Sequence, residues 1–169
     1  MILWLVGMMG SGKTSAGRLA ARHLGVEFSD TDEEVARRKG CSIAQLWAEL
    51  GEAAFRDLEK VAVQELATRE GVVATGGGVV LDTTNRRTMV ATGPVVWLEA
   101  TPSVLSARLR DCEDRPLLAV PDGERESVIA RRLEERARLY AEVATHRIPT
   151  DGMTVEGVAA RIEEIWNGS

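Results

Sequence analysis

The chain has 169 residues, of which 44% are hydrophobic and 28% are charged, and this composition is typical of one soluble globular domain. The net charge of −5 argues against nucleic acid or an anionic membrane as a partner. No apolar run approaches the roughly 18 residues of a membrane span, and the short apolar N-terminal stretch lacks the basic flank of a signal peptide. The two cysteines, Cys41 and Cys112, lie far apart, so we expect free thiols in a reducing compartment, the cytoplasm.

The chain begins with an alternation of strand and helix. Residues 2–6 form a continuous apolar run, as expected for a strand that is buried on both faces. A helix over about 13–24 follows, and Gly25 ends it. Residues 26–29 are predicted to form a short second strand that leads into Asp30.

Three helices are predicted next. Because Asp is a good N-cap, we expect the first to begin after Asp32 and to end at Gly40. Ser42 caps the second helix, which Gly51 interrupts. A longer third helix then covers about 52–69.

The second half repeats the alternation. Residues 71–75 form a third strand, and a run of three glycines at 76–78 follows it. A helix of roughly ten residues begins near Asp82. Residues 95–98 form a fourth strand, and Pro102 stands at the first position of the next helix.

The last third contains the least regular segment of the chain. Residues 111–123 carry two prolines and little periodicity, which predicts a loop long enough to act as a lid. A long helix over 124–143, a short strand over 146–149 and a closing helix over 155–166 follow. The alternation predicts a parallel sheet between two helix layers, a three-layer α/β domain whose ligands gather at the carboxyl ends of the strands.

Residues 7–14 match the pattern G-x-x-x-x-G-K-[ST], which is the phosphate-binding P-loop. The strand before it and the helix after it stand where this motif needs them. The glycines let backbone N–H groups point at an anion, and the helix adds the positive end of its dipole. Lys13 is expected to reach the β- and γ-phosphates of a nucleotide, and Thr14 offers a hydroxyl to Mg²⁺.

A P-loop enzyme also needs a carboxylate for Mg²⁺, and the ends of the predicted strands offer three. The second strand ends in Asp30 and Asp32, and the fourth ends in Glu99, which we favour less. If the chain is extended there, Asp30 and Asp32 point to opposite faces, so one serves the metal and the other a second ligand. The alternatives are a solvated turn for Asp30 and a plain helix cap for Asp32.

Glycines and arginines elsewhere are further candidates. The glycines at 76–78 suit close approach of a ligand, and a tight turn is the alternative. Taken alone, Arg56 reads as a surface residue paired with Glu52 or Glu59, and Arg136 as one of many solvated charges. Arg115 lies in the acidic, proline-bearing loop and could swing over a transferring phosphoryl group.

Together these segments resemble the shikimate kinases, small P-loop enzymes similar to the nucleoside monophosphate kinases. The resemblance covers nearly the whole chain, and the matching segments are G-M-M-G-S-G-K-T at 7–14, D-T-D at 30–32, G-E with F-R-x-x-E at 51–59, G-G-G at 76–78, R-P-L-L at 115–118, and Arg136 before L-Y at 139–140. It implies a single kinase domain over 1–169 and a five-stranded parallel sheet in the order 2-3-1-4-5. It also implies a substrate-binding helical insert over about 31–60 and a mobile lid over about 111–123.

The resemblance also implies a reaction, in which ATP and shikimate give ADP and shikimate 3-phosphate in a monomeric enzyme. The residues implied to hold ATP are Gly10, Ser11, Gly12, Lys13, Thr14, Ser15, Arg108 near the adenine, and Arg115 on the phosphates. Those implied to hold shikimate are Asp32, Arg56, Gly77, Gly78 and Arg136. Mg²⁺ would be bound directly by Thr14 and through water by Asp30. The implied catalytic residues are Lys13, Asp32 and Arg115, with Asp32 as either base or orienting group.

Two features depart from the family pattern. Residues 150–154 lack the basic residues that many relatives carry near the adenine, and Trp47 stands where relatives often have Phe. The alternative functions are another sugar-acid kinase of this fold, such as a gluconate kinase, and a non-catalytic nucleotide-binding relative. The gluconate kinases do not combine D-T-D with F-R-x-x-E and G-G-G, and every candidate catalytic position of this chain is occupied.

Overall fold

The structure of the chain is a computed structural model, which describes residues 1–110 and 124–169. The predicted loop at 111–123, with Cys112 and Arg115, lies outside the described residues. The strands are β1 Ile2–Val6, β2 Phe28–Asp30, β3 Gly71–Ala74, β4 Val95–Glu99 and β5 His146–Pro149. The helices are α1 Lys13–Leu24, α2 Thr31–Lys39, α3 Ile43–Leu66, α4 Thr83–Thr92, α5 Pro102–Arg108, α6 Arg125–Val143 and α7 Val155–Asn167, with a 3₁₀ helix at Val79–Leu81.

The five strands form one parallel sheet in the order β2-β3-β1-β4-β5, which confirms the expected order. β1 is the central strand and is buried along its whole length. Its side chains alternate between two cores, because successive residues of a strand point to opposite faces. Trp4 and Val6 pack on the side of α6, whereas Leu3 and Leu5 pack on the side of α1 and α7. The loop after β1 therefore emerges at the middle of the sheet edge.

The start of α2 differs from the prediction. Asp30, not Asp32, is the N-cap, and its Oδ1 accepts hydrogen bonds from the backbone N–H groups of Asp32 at 2.9 Å and Glu33 at 3.4 Å. Asp32 consequently lies in the first turn of the helix and not in an extended segment. Its direction is set by the helix, so the opposite-face argument for an extended D-T-D segment was wrong.

A break in α3 follows the prediction. Gly51 has φ 78° and ψ 171°, a non-helical conformation that separates the two halves of the helix. A small apolar cluster of Val35, Leu46, Phe55 and Ala62 joins α3 to α2 beside the sheet. Cys41 packs against this cluster as a half-buried free thiol. Within residues 1–110 and 124–169, no helix combines the length and the apolar character that a membrane crossing requires.

Candidate active site

The P-loop curls around the side chain of its own lysine. Gly10 and Gly12 have φ of 80° and 95°, in the left-handed region that side-chain-bearing residues avoid. Lys13 is buried, and its ammonium donates to the carbonyl oxygens of Gly7 at 2.9 Å and Met8 at 2.8 Å. The loop thus holds a positive charge at the N-terminus of α1, where the helix dipole also favours an anion.

Two oxygen-bearing side chains that suit a cation, those of Thr14 and Asp30, meet beside the P-loop. The Thr14 hydroxyl donates to Oδ2 of Asp30 at 2.8 Å, so the first turn of α1 and the end of β2 meet there. A hydroxyl and a carboxylate are hard donors of the kind that Mg²⁺ prefers. No cluster of three or more His, Cys, Asp or Glu that could hold a metal occurs among the described residues. The pair fits a Mg²⁺ that takes its other ligands from nucleotide phosphates and water.

A cavity of about 560 Å³, which we call the P-loop cavity, extends from the loop to the start of α7. All six predicted ATP-binding residues of the loop line it, at 10–15. Asp30, Asp32 and Gly77 line it on the sheet side, and Met153, Thr154, Val155 and Val158 line its far end. The far end is mainly apolar, which suits the flat face of a base.

Arg108 joins the two ends of this cavity. Its guanidinium donates to the Thr150 carbonyl at 2.7 Å, to the Thr150 hydroxyl at 3.0 Å and to the Gly10 carbonyl at 3.4 Å. These contacts tie α5 to the P-loop and to the segment after β5, so Arg108 is part of the cavity wall. Its place near the adenine stays a prediction. Glu99, the less favoured carboxylate, is not among the residues that line the cavity.

A second group of charged residues surrounds the glycines that follow β3. We call Asp32, Arg56, Glu59 and Arg136, together with Gly76, Gly77 and Gly78, the glycine-loop cluster. A Cβ on Gly76 would lie 2.6 Å from Oδ1 of Asp32 and 2.6 Å from Oε1 of Glu59. A Cβ on Gly78 would overlap the Arg56 guanidinium. The lack of side chains at these positions is what lets the four charged groups crowd together.

Arg56 belongs to this cluster and is not a solvated surface residue. Its Nη1 donates to Oε2 of Glu59 at 2.8 Å, and its Nη2 donates to Oε1 of Glu52 at 3.3 Å. The guanidinium carbon also lies 5.6 Å from the centre of the Trp47 ring and 5.5 Å from that of Phe55. The ion pairs that the sequence suggested for Arg56 exist, and they hold it against the glycines.

Arg136 reaches the same glycines from α6. It is 3% exposed, and its Nη1 donates to the carbonyl of Gly77 at 3.1 Å. Its Nε is buried and has no hydrogen-bond partner among the described residues, and the same holds for Nε of Arg56. Two buried guanidinium N–H groups without partners suit an anionic ligand, because an unpaired buried donor is unfavourable.

Glu59 is a further candidate site residue, which the sequence indicated only as a partner of Arg56. Its carboxyl group is 1% exposed. Burial is the main effect that raises its pKa, to about 7, although the positive charge of Arg56 opposes the shift. The signal for Glu59 was its position three residues after Arg56, which puts both on one helix face.

Thr31 was also missed, although it lies between the two candidate aspartates. Its side chain is fully buried, and its hydroxyl oxygen accepts the backbone N–H of Gly76 at 2.8 Å. This bond joins the D-T-D segment to the glycine loop. Asp30 therefore faces the P-loop through Thr14, whereas Asp32 lies at both the P-loop cavity and the glycine-loop cluster.

Comparison with known proteins identifies the family. The model of the shikimate kinase family matches residues 9–166. The chain belongs to the shikimate kinase family. A shikimate kinase from Thermodesulfovibrio yellowstonii is 38% identical over 169 residues, which cover 97% of this chain and 96% of that protein. Shikimate kinase 1 of Yersinia pestis is 40% identical over 161 residues, with coverage of 95% and 92%.

Solved structures support the same family. A shikimate kinase from Acinetobacter baumannii in complex with shikimate superimposes with a TM-score of 0.93 at 36% identity, covering 99% of this chain and 93% of that one. A deoxyadenosine kinase from M. mycoides has a TM-score of 0.63 at 14% identity and shares the fold alone. The family is one of ATP-dependent kinases, so the chain is an enzyme with the three-layer P-loop fold that the sequence predicted. The gluconate kinase and non-catalytic alternatives are not favoured.

Proposed function

We propose that this enzyme transfers the γ-phosphoryl group of ATP to the 3-hydroxyl of shikimate, giving shikimate 3-phosphate and ADP. One observation carries the proposal. The glycine-loop cluster, with buried Arg136 and half-buried Arg56, adjoins the P-loop cavity, and the cluster and the cavity share Asp32 and Gly77 as a wall. A small hydroxylated carboxylic acid is the type of acceptor that such a pair of neighbouring sites accommodates.

On the nucleotide side, we assign the phosphates to Lys13 and to the backbone N–H groups of residues 10–15. Lys13 would exchange its bonds to the Gly7 and Met8 carbonyls for bonds to phosphate oxygens. Thr14 and Asp30 would hold Mg²⁺, which when bound neutralises charge on the phosphates. The base would lie toward Arg108 and the apolar end of the cavity. Arg115, outside the described residues, stays a prediction from the resemblance.

On the acceptor side, we assign the shikimate carboxylate to Arg56 and Arg136. Their buried Nε groups supply donors for it, and charge-assisted hydrogen bonds of this kind contribute about 1.5–3 kcal/mol each. Gly77 and Gly78 would lie against the ring, because no Cβ intervenes there. Glu59 keeps Arg56 in place through the bond at 2.8 Å.

Asp32 would accept a hydrogen bond from the attacking hydroxyl and orient it. In the transfer, the hydroxyl oxygen forms a bond to the γ-phosphorus while the bond from that phosphorus to the β,γ-bridging oxygen breaks. The hydroxyl proton leaves by way of the Asp32 carboxylate, and the electron pair goes to ADP. Positioning and charge stabilisation supply most of the rate enhancement in such a reaction.

Two further expectations accompany this proposal, one on the oligomeric state and one on the cellular location. We expect a monomer, because the helices carry many exposed charges on an acidic chain, and sedimentation at micromolar concentration measures it. We also expect the enzyme to work in the cytoplasm, where free thiols such as that of Cys41 persist.

The test is an ADP-release assay with shikimate, quinate and gluconate as acceptors. We expect turnover with shikimate and none with gluconate, and the reverse pattern would overturn the proposal.

Arg136→Ala should raise the shikimate KM about tenfold or more while the ATP KM stays within about twofold, since one charged donor to the carboxylate is lost. Arg138→Ala, an exposed neighbour on α6, is the matched control and should behave as the wild type.

A further inference from the structure

Two side chains of α6 share one acceptor in the glycine loop. The carbonyl oxygen of Gly77 accepts Nη1 of Arg136 at 3.1 Å and the hydroxyl of Tyr140 at 2.5 Å. Arg136 and Tyr140 are four residues apart, so they lie on the same face of the helix one turn from each other. The two donors converge on the carbonyl of a glycine that itself lies against the P-loop, since a Cβ on Gly77 would be 3.3 Å from the Met9 nitrogen.

Tyr140 has a polar contact that its packing does not need. The side chain has no exposed surface, and its ring stacks on Trp97 with the ring centres 5.7 Å apart. A phenylalanine would fill this space equally well. Burial raises the pKa of the Tyr140 hydroxyl, so the group stays protonated and acts as a donor. The hydroxyl donates to the Gly77 carbonyl, with the Met8 sulfur 3.6 Å away as a weak second contact, and it also interacts directly with the Arg136 side chain.

The contact at Gly77 determines which edge of the Arg136 guanidinium is available. Nη1 is bound to the Gly77 carbonyl. Nε is buried and has no partner in the described part of the chain. The edge formed by Nε and Nη2 is one of the forks with which an arginine binds a carboxylate through two parallel hydrogen bonds. The direction of this fork depends on where the Gly77 carbonyl holds Nη1.

We propose that Tyr140 is a positioning residue for recognition of the substrate carboxylate. Its hydroxyl holds the Gly77 carbonyl, that carbonyl holds Nη1 of Arg136, and the Nε–Nη2 edge is thereby directed at the carboxylate. Tyr140 itself does not touch the substrate. The inference rests on the proposed function, because shikimate supplies the carboxylate that Arg136 is proposed to bind.

The first experiment removes the hydroxyl alone. Tyr140→Phe should raise the shikimate KM about fivefold, which corresponds to about 1 kcal/mol at 25 °C, while kcat and the ATP KM stay within about twofold. In an Arg136→Ala background, Tyr140→Phe should not weaken shikimate binding further, because the residue it positions is absent. An unchanged shikimate KM in Tyr140→Phe, or two effects that simply add, would overturn the proposal.

A matched control separates positioning from general loosening of α6. Val143→Ala removes a buried side chain from the same helix without touching Gly77 or Arg136. It should lower the melting temperature while the shikimate KM stays at the wild-type value. If Val143→Ala raises the shikimate KM as much as Tyr140→Phe, loss of rigidity explains both, and Tyr140 has no positioning role.

A second measurement leaves the fold intact. The chain contains a single tyrosine, so biosynthetic incorporation of 3-fluorotyrosine labels Tyr140 alone and gives one ¹⁹F resonance. This resonance should shift when shikimate saturates the enzyme and stay in place with an analogue that carries a hydroxymethyl group instead of the carboxylate. Equal responses to both ligands, or none to shikimate, would overturn the inference.

Calorimetry of shikimate binding to the wild type distinguishes the two possible failures. A wild type that binds no shikimate refutes the proposed function and this inference together. A wild type that binds shikimate normally, beside a Tyr140→Phe variant with the same affinity, refutes the inference alone.

Discussion

The contact between Gly78 and Arg56 gives the sharpest test of the acceptor site. Gly78 has φ −100° and ψ 0°, which a residue with a side chain also adopts, so Gly78→Ala requires no change of backbone. The new methyl group would occupy the space of the Arg56 guanidinium, whose Nη1, Nη2 and Cζ atoms it would overlap. Because the guanidinium is the flexible end of a long side chain, Arg56 moves and the backbone does not.

The size of the effect follows from the bonds that Arg56 then loses. A displaced guanidinium gives up its bond to Glu59 and its place beside the substrate carboxylate. A hydrogen bond to a charged group contributes about 1.5–3 kcal/mol, so the shikimate KM should rise roughly 10- to 150-fold. The ATP KM should change by less than about twofold, since Gly78 does not line the P-loop cavity. Buried Glu59 loses its partner as well, which should lower the free energy of unfolding by about 1–3 kcal/mol.

The assay is a set of initial rates with each substrate varied at saturation of the other, together with a melting curve. Gly157→Ala is the control, since it makes the same substitution in α7, where a Cβ would meet nothing closer than 3.5 Å. That variant should keep wild-type kinetics and gain about 0.5–1 kcal/mol of stability from alanine in a helix. A folded Gly78→Ala enzyme with a shikimate KM within twofold of the wild type would refute the role of Arg56.

Two further predictions concern Glu59 and Thr14. The pKa of Glu59 lies near 7 in the fold and near 4.5 in the unfolded chain, so its stabilising contribution is complete below pH 4.5 and is lost as the pH rises through 7. The melting temperature of Glu59→Gln minus that of the wild type should therefore increase as the pH rises from 4.5 through 7. A difference that does not change with pH would contradict the raised pKa. Thr14→Val removes the hydroxyl that donates to Asp30, so half-maximal activity should need about tenfold more Mg²⁺ at an unchanged shikimate KM. Thr14→Ser keeps the hydroxyl as the control, and equal Mg²⁺ requirements in both variants would argue against the ligand role.

The fold followed closely from local signals. The apolar runs, the strand–helix alternation and the punctuating glycines predicted every strand and most helix limits, because each signal acts within a few residues. The first turn of α2 was the exception. Asp30 and Asp32 are equally good caps, and a local rule cannot choose between them. The choice depends on β2 ending where Oδ2 of Asp30 meets the Thr14 hydroxyl, which is a tertiary contact.

The candidate site was also predictable where its residues are consecutive, and not where the tertiary fold brings distant residues together. The P-loop residues are consecutive, so their spacing alone predicted them. Arg56 and Arg136 read as surface residues when each was taken with its helical neighbours, and only the resemblance to shikimate kinases singled them out. The two arginines are eighty residues apart in the chain, and the loop at 76–78, which has no side chains, lets them lie close together. Tyr140 contributed to the resemblance only as part of the L-Y match at 139–140, and no role was predicted for it, because a buried tyrosine is ordinary in a helix that packs on a sheet.

The wall that the two proposed sites have in common leads us to expect a particular stereochemistry at phosphorus. Asp32 and Gly77 border the P-loop cavity and also belong to the glycine-loop cluster, so an acceptor bound at that cluster would lie next to a nucleotide in the cavity. With both substrates bound in this way, we expect the acceptor hydroxyl to attack phosphorus from the side opposite the departing ADP, in a single displacement. A γ-phosphoryl group made chiral with oxygen isotopes should therefore be transferred with inversion of configuration at phosphorus.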